Sequence, residues 1–293
     1  MKASEFTMRD PYILLHDGTY YLYGTRSETC WGPAEGFDCY KSPDLLNWEG
    51  PVEIFKRTPD FFATENFWAP EAYYYRGSFW LLTTLGGAGL KKGIYVLKSD
   101  SPEGPFALYS GRLTPEDWTC IDGSLLIEEG RVWLVFSHSF EDAPDADICV
   151  QELAADLSCA LEGPRSLFPA KAAPWALPVP FAAAEFGMAG DVYFSDGPGV
   201  FRGEDGRLYM TWSSWSKAAY AVGAAVSESG SVYGPWKQQE TPIWPANGGH
   251  GMVFKDKAGV RCFALHFPND KGNEHFCYKK LAVNEDGSLC LED

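Results

Sequence analysis

The sequence predicts an all-β fold, a five-bladed β-propeller in which residues 1–293 form a single domain. Three observations lead there. Five segments share one grammar: an apolar run, a tight turn containing Gly, and a second apolar or aromatic run, which is the signature of a hairpin. Each hairpin is followed by another strand-like run with its own turn. No long amphipathic helix interrupts the series, which repeats about every 50–75 residues. A β-sandwich with evenly spaced strands is the competing architecture. The grouping of each hairpin with one further strand favours the propeller.

The first unit opens with Y-I-L-L-H-D-G-T-Y-Y-L-Y-G-T (residues 12–25) and continues through F-D-C-Y-K-S-P-D-L-L-N-W (37–48). In the second, A-Y-Y-Y-R-G-S-F-W-L-L-T-T (72–84) precedes a run over 93–106. The third pairs S-L-L-I-E-E-G-R-V-W-L-V-F-S (124–137) with D-I-C-V-Q-E-L (147–153). The fourth sets residues 199–213 before 221–236, and the fifth sets 251–266 before 276–289. The second and fourth units share S-x-S-x-x-G-P-aromatic, which marks true repetition. A Pro- and Ala-rich stretch over 168–184 separates units three and four. It is too long for a tight turn and is expected to form a lid or rim.

A net charge of −16 argues against nucleic acid, whose phosphates call for clustered Lys and Arg. No run approaches the roughly 18 apolar residues of a membrane-spanning helix, and residues 1–10 lack the apolar core of a secretory signal. The eight cysteines are scattered without a C-x-x-C pair, which speaks against zinc and against a disulfide framework. Reduced, buried thiols imply a cytoplasmic protein. Oligomeric state is not readable.

In a propeller the innermost strand of each blade lines a central channel and starts at one mouth. Just before the five first strands stand Asp10 (R-D-P-Y), Trp68 and Glu71 (W-A-P-E), Asp122 (I-D-G-S), Asp196 (S-D-G-P) and His250 (G-H-G-M). Four acids and one histidine are thus expected at equivalent places, converging on one mouth. Gathered carboxylates repel, so their pKa values split; one stays ionised as a base and another keeps a proton. Two carboxyl groups so divided are the equipment for cleaving a glycosidic bond.

With these motifs in hand, the chain resembles glycoside hydrolase family 43, the five-bladed propeller glycosidases of arabinofuranosidase and xylosidase type. R-D-P-Y (9–12), S-P-D-L-L-N-W (42–48), W-A-P-E (68–71), I-D-G-S (121–124) and G-G-H-G-M-V-F (248–254) look like that family's motifs in its order, along the whole chain. The resemblance implies inversion with Asp10 as general base, Asp122 as the residue that tunes the acid, and Asp196 as general acid. The family usually has Glu where Asp196 stands. Asp is one methylene shorter, which sets its carboxyl back by about 1.5 Å, and inverting enzymes separate their carboxyl groups by about 6.5–9.5 Å. Glu71 and Glu185 are the substitutes. The resemblance also implies a structural calcium near His250, with no cofactor required for the chemistry. His16, His138, His266 and His275 have no ligand spacing and read as structural.

Sugars stack on aromatic faces. Trp31 and Phe37, in and ending the irregular loop before the second run of blade one, are expected with Trp68 and Glu71 to wall the site. The expected substrate is a short oligosaccharide. By resemblance its terminal residue is α-L-arabinofuranose, ahead of β-D-xylose or β-D-galactofuranose, released by an exo-acting enzyme. A carbohydrate-binding propeller without activity is the alternative if Asp196 does not replace the Glu.

Overall fold

The computed structural model describes residues 1–292. Five antiparallel sheets of four strands follow one another along the chain. Blade 1 comprises β1 (Arg9–His16), β2 (Thr19–Thr25), β3 (Gly36–Ser42) and β4 (Glu49–Lys56). Blade 2 comprises β5 (Glu65–Tyr75), β6 (Ser78–Gly87), β7 (Leu90–Ser99) and β8 (Ala107–Leu108). Blade 3 is β9 (Cys120–Glu128), β10 (Arg131–His138), β11 (Asp147–Leu153) and β12 (Arg165–Pro169). Blade 4 is β13 (Asp196–Arg202), β14 (Leu208–Ser216), β15 (Ala219–Ser227) and β16 (Trp236–Gln238). Blade 5 is β17 (Gly249–Lys255), β18 (Arg261–Phe267), β19 (His275–Val283) and β20 (Leu289–Glu292). The first strand of each blade touches the first strands of both neighbours, and β17 returns to β1, so the circuit closes as a five-bladed propeller.

Local chemistry fixes the hairpins. Asp17-Gly18, Arg76-Gly77 and Glu129-Gly130 all have positive φ at both positions. That is the two-residue turn whose twist matches flanking strands, and the second position is Gly each time because Gly carries no steric penalty there. The pairings His16↔Thr19, Tyr75↔Ser78 and Glu128↔Arg131 confirm loops of two residues.

Buried apolar side chains form five clusters, one per seam between blades. Tyr23, Phe37 and Phe55 meet Phe67, Phe79 and Leu81 across the first seam. Trp80, Leu82 and Val96 meet Leu125, Leu134 and Phe136 across the second. Phe168 and Trp175 pack on Trp212 across the third, and Tyr209 and Val222 pack on Phe263 and Leu265 across the fourth. Each blade therefore needs both neighbours to cover its faces. Blade 5 takes all four of its strands from the C-terminal part of the chain, so no exchanged strand fastens the ring. The N-terminal residues wedge the last seam instead. Phe6 stacks on Tyr40 with ring centroids 4.2 Å apart, Met8 N–H donates to the Glu274 carbonyl at 2.8 Å, and both side chains join Met252, Phe254 and Phe276.

The 168–184 stretch is a plug as well as a rim. Ala173, Trp175, Ala176 and Val179 are buried between blades 3 and 4. Trp175 lies so close to Gly223 that a Cβ there would come within 2.0 Å of its ring. A short helix, α1 (Ala182–Phe186), follows at the surface.

Phe6→Ala removes a ring from the closing seam. It is expected to lower unfolding free energy by about 3 kcal/mol, read from chemical denaturation, with the far-UV spectrum of the folded state unchanged.

Candidate active site

Each first strand is broken by a bulge at the same level. Register runs Arg9↔Thr25, Trp68↔Thr84, Ile121↔Ser137, Asp196↔Ser213 and Gly249↔His266, and each time it shifts before pairing resumes. The next residue is left-handed in every blade: Asp10 (φ 53°), Ala69 (45°), Asp122 (60°), Gly197 (50°) and His250 (39°). For a residue with a side chain this costs about 1 kcal/mol or more. A bulge of this kind re-aims a side chain, here toward the channel mouth.

Hydrogen bonds from the preceding blade offset the cost. Ala69 N–H donates to Thr25 Oγ1 at 2.8 Å, Asp122 N–H to Thr84 Oγ1 at 2.9 Å, and His250 N–H to Ser213 Oγ at 3.0 Å. Asp10 N–H donates to His266 Nδ1 at 3.2 Å, which closes the circle from blade 5 to blade 1. At the blade 3–4 seam the Ser137 hydroxyl donates to the Ser195 carbonyl at 2.6 Å, and Gly197 N–H reaches Asp122 Oδ2 at 3.4 Å.

This register corrects the expected equivalence of four acids. Asp10, Asp122 and His250 share the bulge position. Asp196 stands one residue earlier, level with Arg9 and Trp68, and Glu71 stands two residues later on its strand. Pairing register, and not nearness to a strand start, defines equivalence.

Asp10, Asp122, Asp196 and His250 are all buried and line one cavity. His250 Nδ1 lies 3.6 Å from Asp10 Oδ1 and 3.5 Å from Asp122 Oδ2. Asp10 Oδ2 accepts the Thr25 hydroxyl at 2.6 Å, and Asp196 Oδ2 accepts the Tyr220 hydroxyl at 2.5 Å. Asp196 Oδ1 is buried without a partner. Burial pushes all three carboxyl groups toward the neutral form, but with different outcomes. At Asp10 burial is outweighed by the His250 imidazole, the Arg9 guanidinium and the Thr25 bond, so its pKa falls below the usual carboxylate range. Burial pushes Asp122 up to about 7; His250 opposes this and the charges of Asp196 and Asp10 reinforce it. Burial pushes Asp196 up to about 8, against the Tyr220 bond and with the Asp10 charge. At neutral pH Asp10 is a base and Asp196 holds a proton.

Arg9 Nη1 donates to Asn269 Oδ1 at 3.0 Å and to Glu274 Oε1 at 2.7 Å, and His266 Nε2 lies 3.2 Å from the same Asn269 oxygen. Burial, with the Arg9 charge, holds His266 down at about 3. It is neutral, with its proton on Nε2, because Nδ1 accepts from Asp10. Its Nδ1 therefore makes neither an ion pair nor a hydrogen bond with Asp10 Oδ1, which the backbone bond brings to 3.5 Å.

The cavity measures about 600 Å³. Trp31 and Trp68 line it as expected of a sugar wall, edge to face at 5.6 Å, with Arg9 over Trp31 and Lys92 over Trp68. Trp68 Nε1 is tied to the Cys30 carbonyl at 2.7 Å, whereas Trp31 is 56% exposed and offers a face. Phe181, Glu185 and Phe186 bring the 168–184 stretch and α1 to the rim. Two expected wall residues are elsewhere. Phe37 is wholly buried between Phe55 and Phe67. Glu71 does not line the cavity; its carboxyl is held by the Tyr73 hydroxyl and Ser124, and burial raises its pKa to about 8. Trp215, Tyr220, Asn269 and Lys271 line the cavity without having been singled out in the sequence, because they stand outside the strand starts.

Asp122, Asp196 and His250 each offer one donor atom within 4.8 Å of the others. A calcium ion takes six to eight oxygens. This set of two carboxyl groups and one imidazole fits such an ion only with water filling most positions.

Fold and site together define a class: a five-bladed propeller with two buried carboxyl groups of opposite protonation at one mouth of its channel. The chain belongs to glycosyl hydrolases family 43, whose model matches residues 4–289. A solved endo-arabinase from Bacteroides thetaiotaomicron is 36% identical with a TM-score of 0.88, covering 97% of this chain and 98% of that one. A thermostable family-43 glycoside hydrolase is 25% identical with a TM-score of 0.80, covering 98% of this chain and 93% of that one. An extracellular exo-α-(1→5)-L-arabinofuranosidase from Cellvibrio japonicus is 25% identical over 151 residues, which are 46% of this chain and 41% of that relative. The match thus spans less than half of the curated relative.

Thr25 both donates to Asp10 and accepts from Ala69. Thr25→Val leaves a buried N–H unpaired and is expected to lower stability by about 2 kcal/mol. Loss of its bond raises the Asp10 pKa, so the acidic limb of kcat/KM is expected to move to higher pH. Denaturation curves and a pH–rate profile read the two effects.

Proposed function

We propose that the chain is an inverting, exo-acting glycoside hydrolase that releases terminal α-L-arabinofuranose from short oligosaccharides. The observation that carries this reading is the opposite protonation of Asp10 and Asp196, buried in one cavity. Asp10 accepts a proton from a water molecule, whose oxygen attacks the anomeric carbon. The glycosidic C–O electrons pass to the leaving oxygen, which takes the proton of Asp196. One water is consumed, and the two carboxyl groups exchange protonation states until solvent resets them. Asp122 is assigned as the tuning residue because it offers a carboxyl oxygen within 4.8 Å of Asp196. The unpartnered, buried Asp196 Oδ1 supports a working acid over a site that only binds sugar.

Arabinofuranose is favoured over β-xylose and β-galactofuranose by two relatives whose names are directed to arabinose polymers. Exo action is supported by the cavity's lining, to which the Lys92–Glu141 ion pair and Glu185 and Phe186 of α1 contribute. The endo-arabinase name of the 36% identical relative favours a second reading, cleavage within a chain at the same carboxyl pair. Cytoplasmic location is part of the proposal, supported by eight free thiols. A structural calcium ion would be held by His250 and Asp122 with water. It would supply positive charge beside the carboxylates, and no step runs through it.

A screen of nitrophenyl furanosides and pyranosides, together with α-1,5-arabino-oligosaccharides, tests the reading. Arabinofuranosides are expected to turn over, oligosaccharides to yield monosaccharide from the first time point, and NMR to show the β-anomer first. Asp10→Ala is expected to lose at least about a thousandfold in kcat. Unchanged turnover in that variant would remove Asp10 as the base. Early release of mixed oligosaccharides would favour the internal-cleavage reading.

A further inference from the structure

Asp196 is a short acid, and its surroundings hold a device suited to that. Tyr220, the second residue of β15, lines the cavity. Its hydroxyl donates to Asp196 Oδ2 at 2.5 Å, while Oδ1 of the same carboxyl is buried and unpartnered. The ring is 2% exposed and fixed on several sides. Trp215 lies 5.7 Å away, Phe194 6.2 Å, and the neutral His266 ring stacks at 5.8 Å. Gly249 lets it approach, since a Cβ there would come within 2.3 Å of the ring. A phenol held this firmly sets the plane of the carboxyl it binds.

We propose that Tyr220 is a positioning residue for the general acid: it ties down Asp196 Oδ2, leaves Oδ1 to carry the proton, and compensates for the methylene that Asp lacks. This rests on the reading of Asp196 as the acid. The Oδ1–H bond breaks, the proton and the electrons of the glycosidic bond go to the leaving oxygen, and negative charge appears on the carboxyl, shared with Oδ2. A neutral hydrogen bond from Tyr220 thereby becomes a charge-assisted one. Because the gain arises as the proton leaves, it lowers the barrier to chemistry rather than tightening substrate binding. Burial holds the Tyr220 pKa well above that of an ordinary phenol, so the group remains a donor throughout the working range.

The other ionisable groups around Asp196 are Arg9 and Asp10 of β1, Asp122 of β9 and His250 of β17, with His266 of β18 behind the phenol ring. None is altered in Tyr220→Phe, which keeps the ring and its packing. The variant is expected to stay folded but to melt lower than wild type, since a buried carboxyl oxygen loses its donor, and to keep KM within about twofold. The expected loss in kcat is about tenfold on a glycoside with a poor leaving group such as an alcohol or sugar, and little with 4-nitrophenol. A lost bond to the carboxylate raises the acid's pKa, so the alkaline limb is expected to move up by about one pH unit. Replacing Tyr220 with 3-fluorotyrosine keeps the shape but strengthens the donor, and is expected to move the limb down.

Asp196→Ala, assayed on the same two substrates, separates the two readings. Equal losses on good and poor leaving groups in that variant would place the acid elsewhere. A selective loss in Asp196→Ala, with unchanged kcat and an unmoved limb in both Tyr220 variants, would overturn the role of Tyr220 alone. An equal loss on both substrates in Tyr220→Phe, with the alkaline limb unmoved, would make it merely structural.

Discussion

The site depends on one repeated constraint: a left-handed residue in each innermost strand, capped by the blade before it. Thr25, Thr84, Ser213 and His266 accept the backbone N–H of Ala69, Asp122, His250 and Asp10 in turn. Without these partners, five backbone kinks at the channel mouth would carry both strain and unpaired donors in a buried setting. With them, the kinks turn side chains inward and link each blade to the next. Because the circle ends with His266 on Asp10, the ring closes through the site itself as well as through the apolar wedge of Phe6 and Met8. Assembly of the fold and alignment of the carboxyl groups are therefore the same event.

Within that frame, three chemically identical residues reach different protonation states. All are buried, and burial alone would neutralise each. Asp10 escapes because Arg9, the preceding residue, is fixed by Glu274 and Asn269, and because Thr25 donates to it. At Asp196 burial and the Asp10 charge outweigh the Tyr220 and Ser213 hydroxyls and the Arg9 charge, so it keeps its proton. Asp122 lies between them with His250 alongside. Differences in neighbouring charges and hydrogen bonds, not in residue type, set the three carboxyl groups apart.

Much of this was legible in the sequence. Five hairpins with Gly in the turn, each followed by a further strand, specified the blades, because turn chemistry and alternation are local. Asp10, Asp122, Asp196 and His250 were readable from motifs at strand starts. The equivalence among them was not, because only the pairing register shows that Asp196 precedes, and Glu71 follows, the bulge position. Phe37 looked like a pocket residue since it ends an irregular loop, yet a seam between blades needed its ring. Glu71 was drawn away by Tyr73 and Ser124. The sequence did carry one unread signal. Each repeated segment ends on Thr25, Thr84, Ser137, Ser213 or His266, the very set that joins blade to blade. Tyr220 and Asn269 lack a motif because their roles come from contacts between distant parts of the chain.

The central claim is that Asp10 and Asp196 differ in protonation at neutral pH while facing one cavity. Titration of carboxyl resonances in protein labelled with 13C at aspartate, assigned with Asp10→Asn and Asp196→Asn, tests it most directly. The expected result is an Asp10 signal that is ionised from below pH 4 upward and an Asp196 signal that titrates near pH 8. Both signals titrating together near pH 4 would contradict the account.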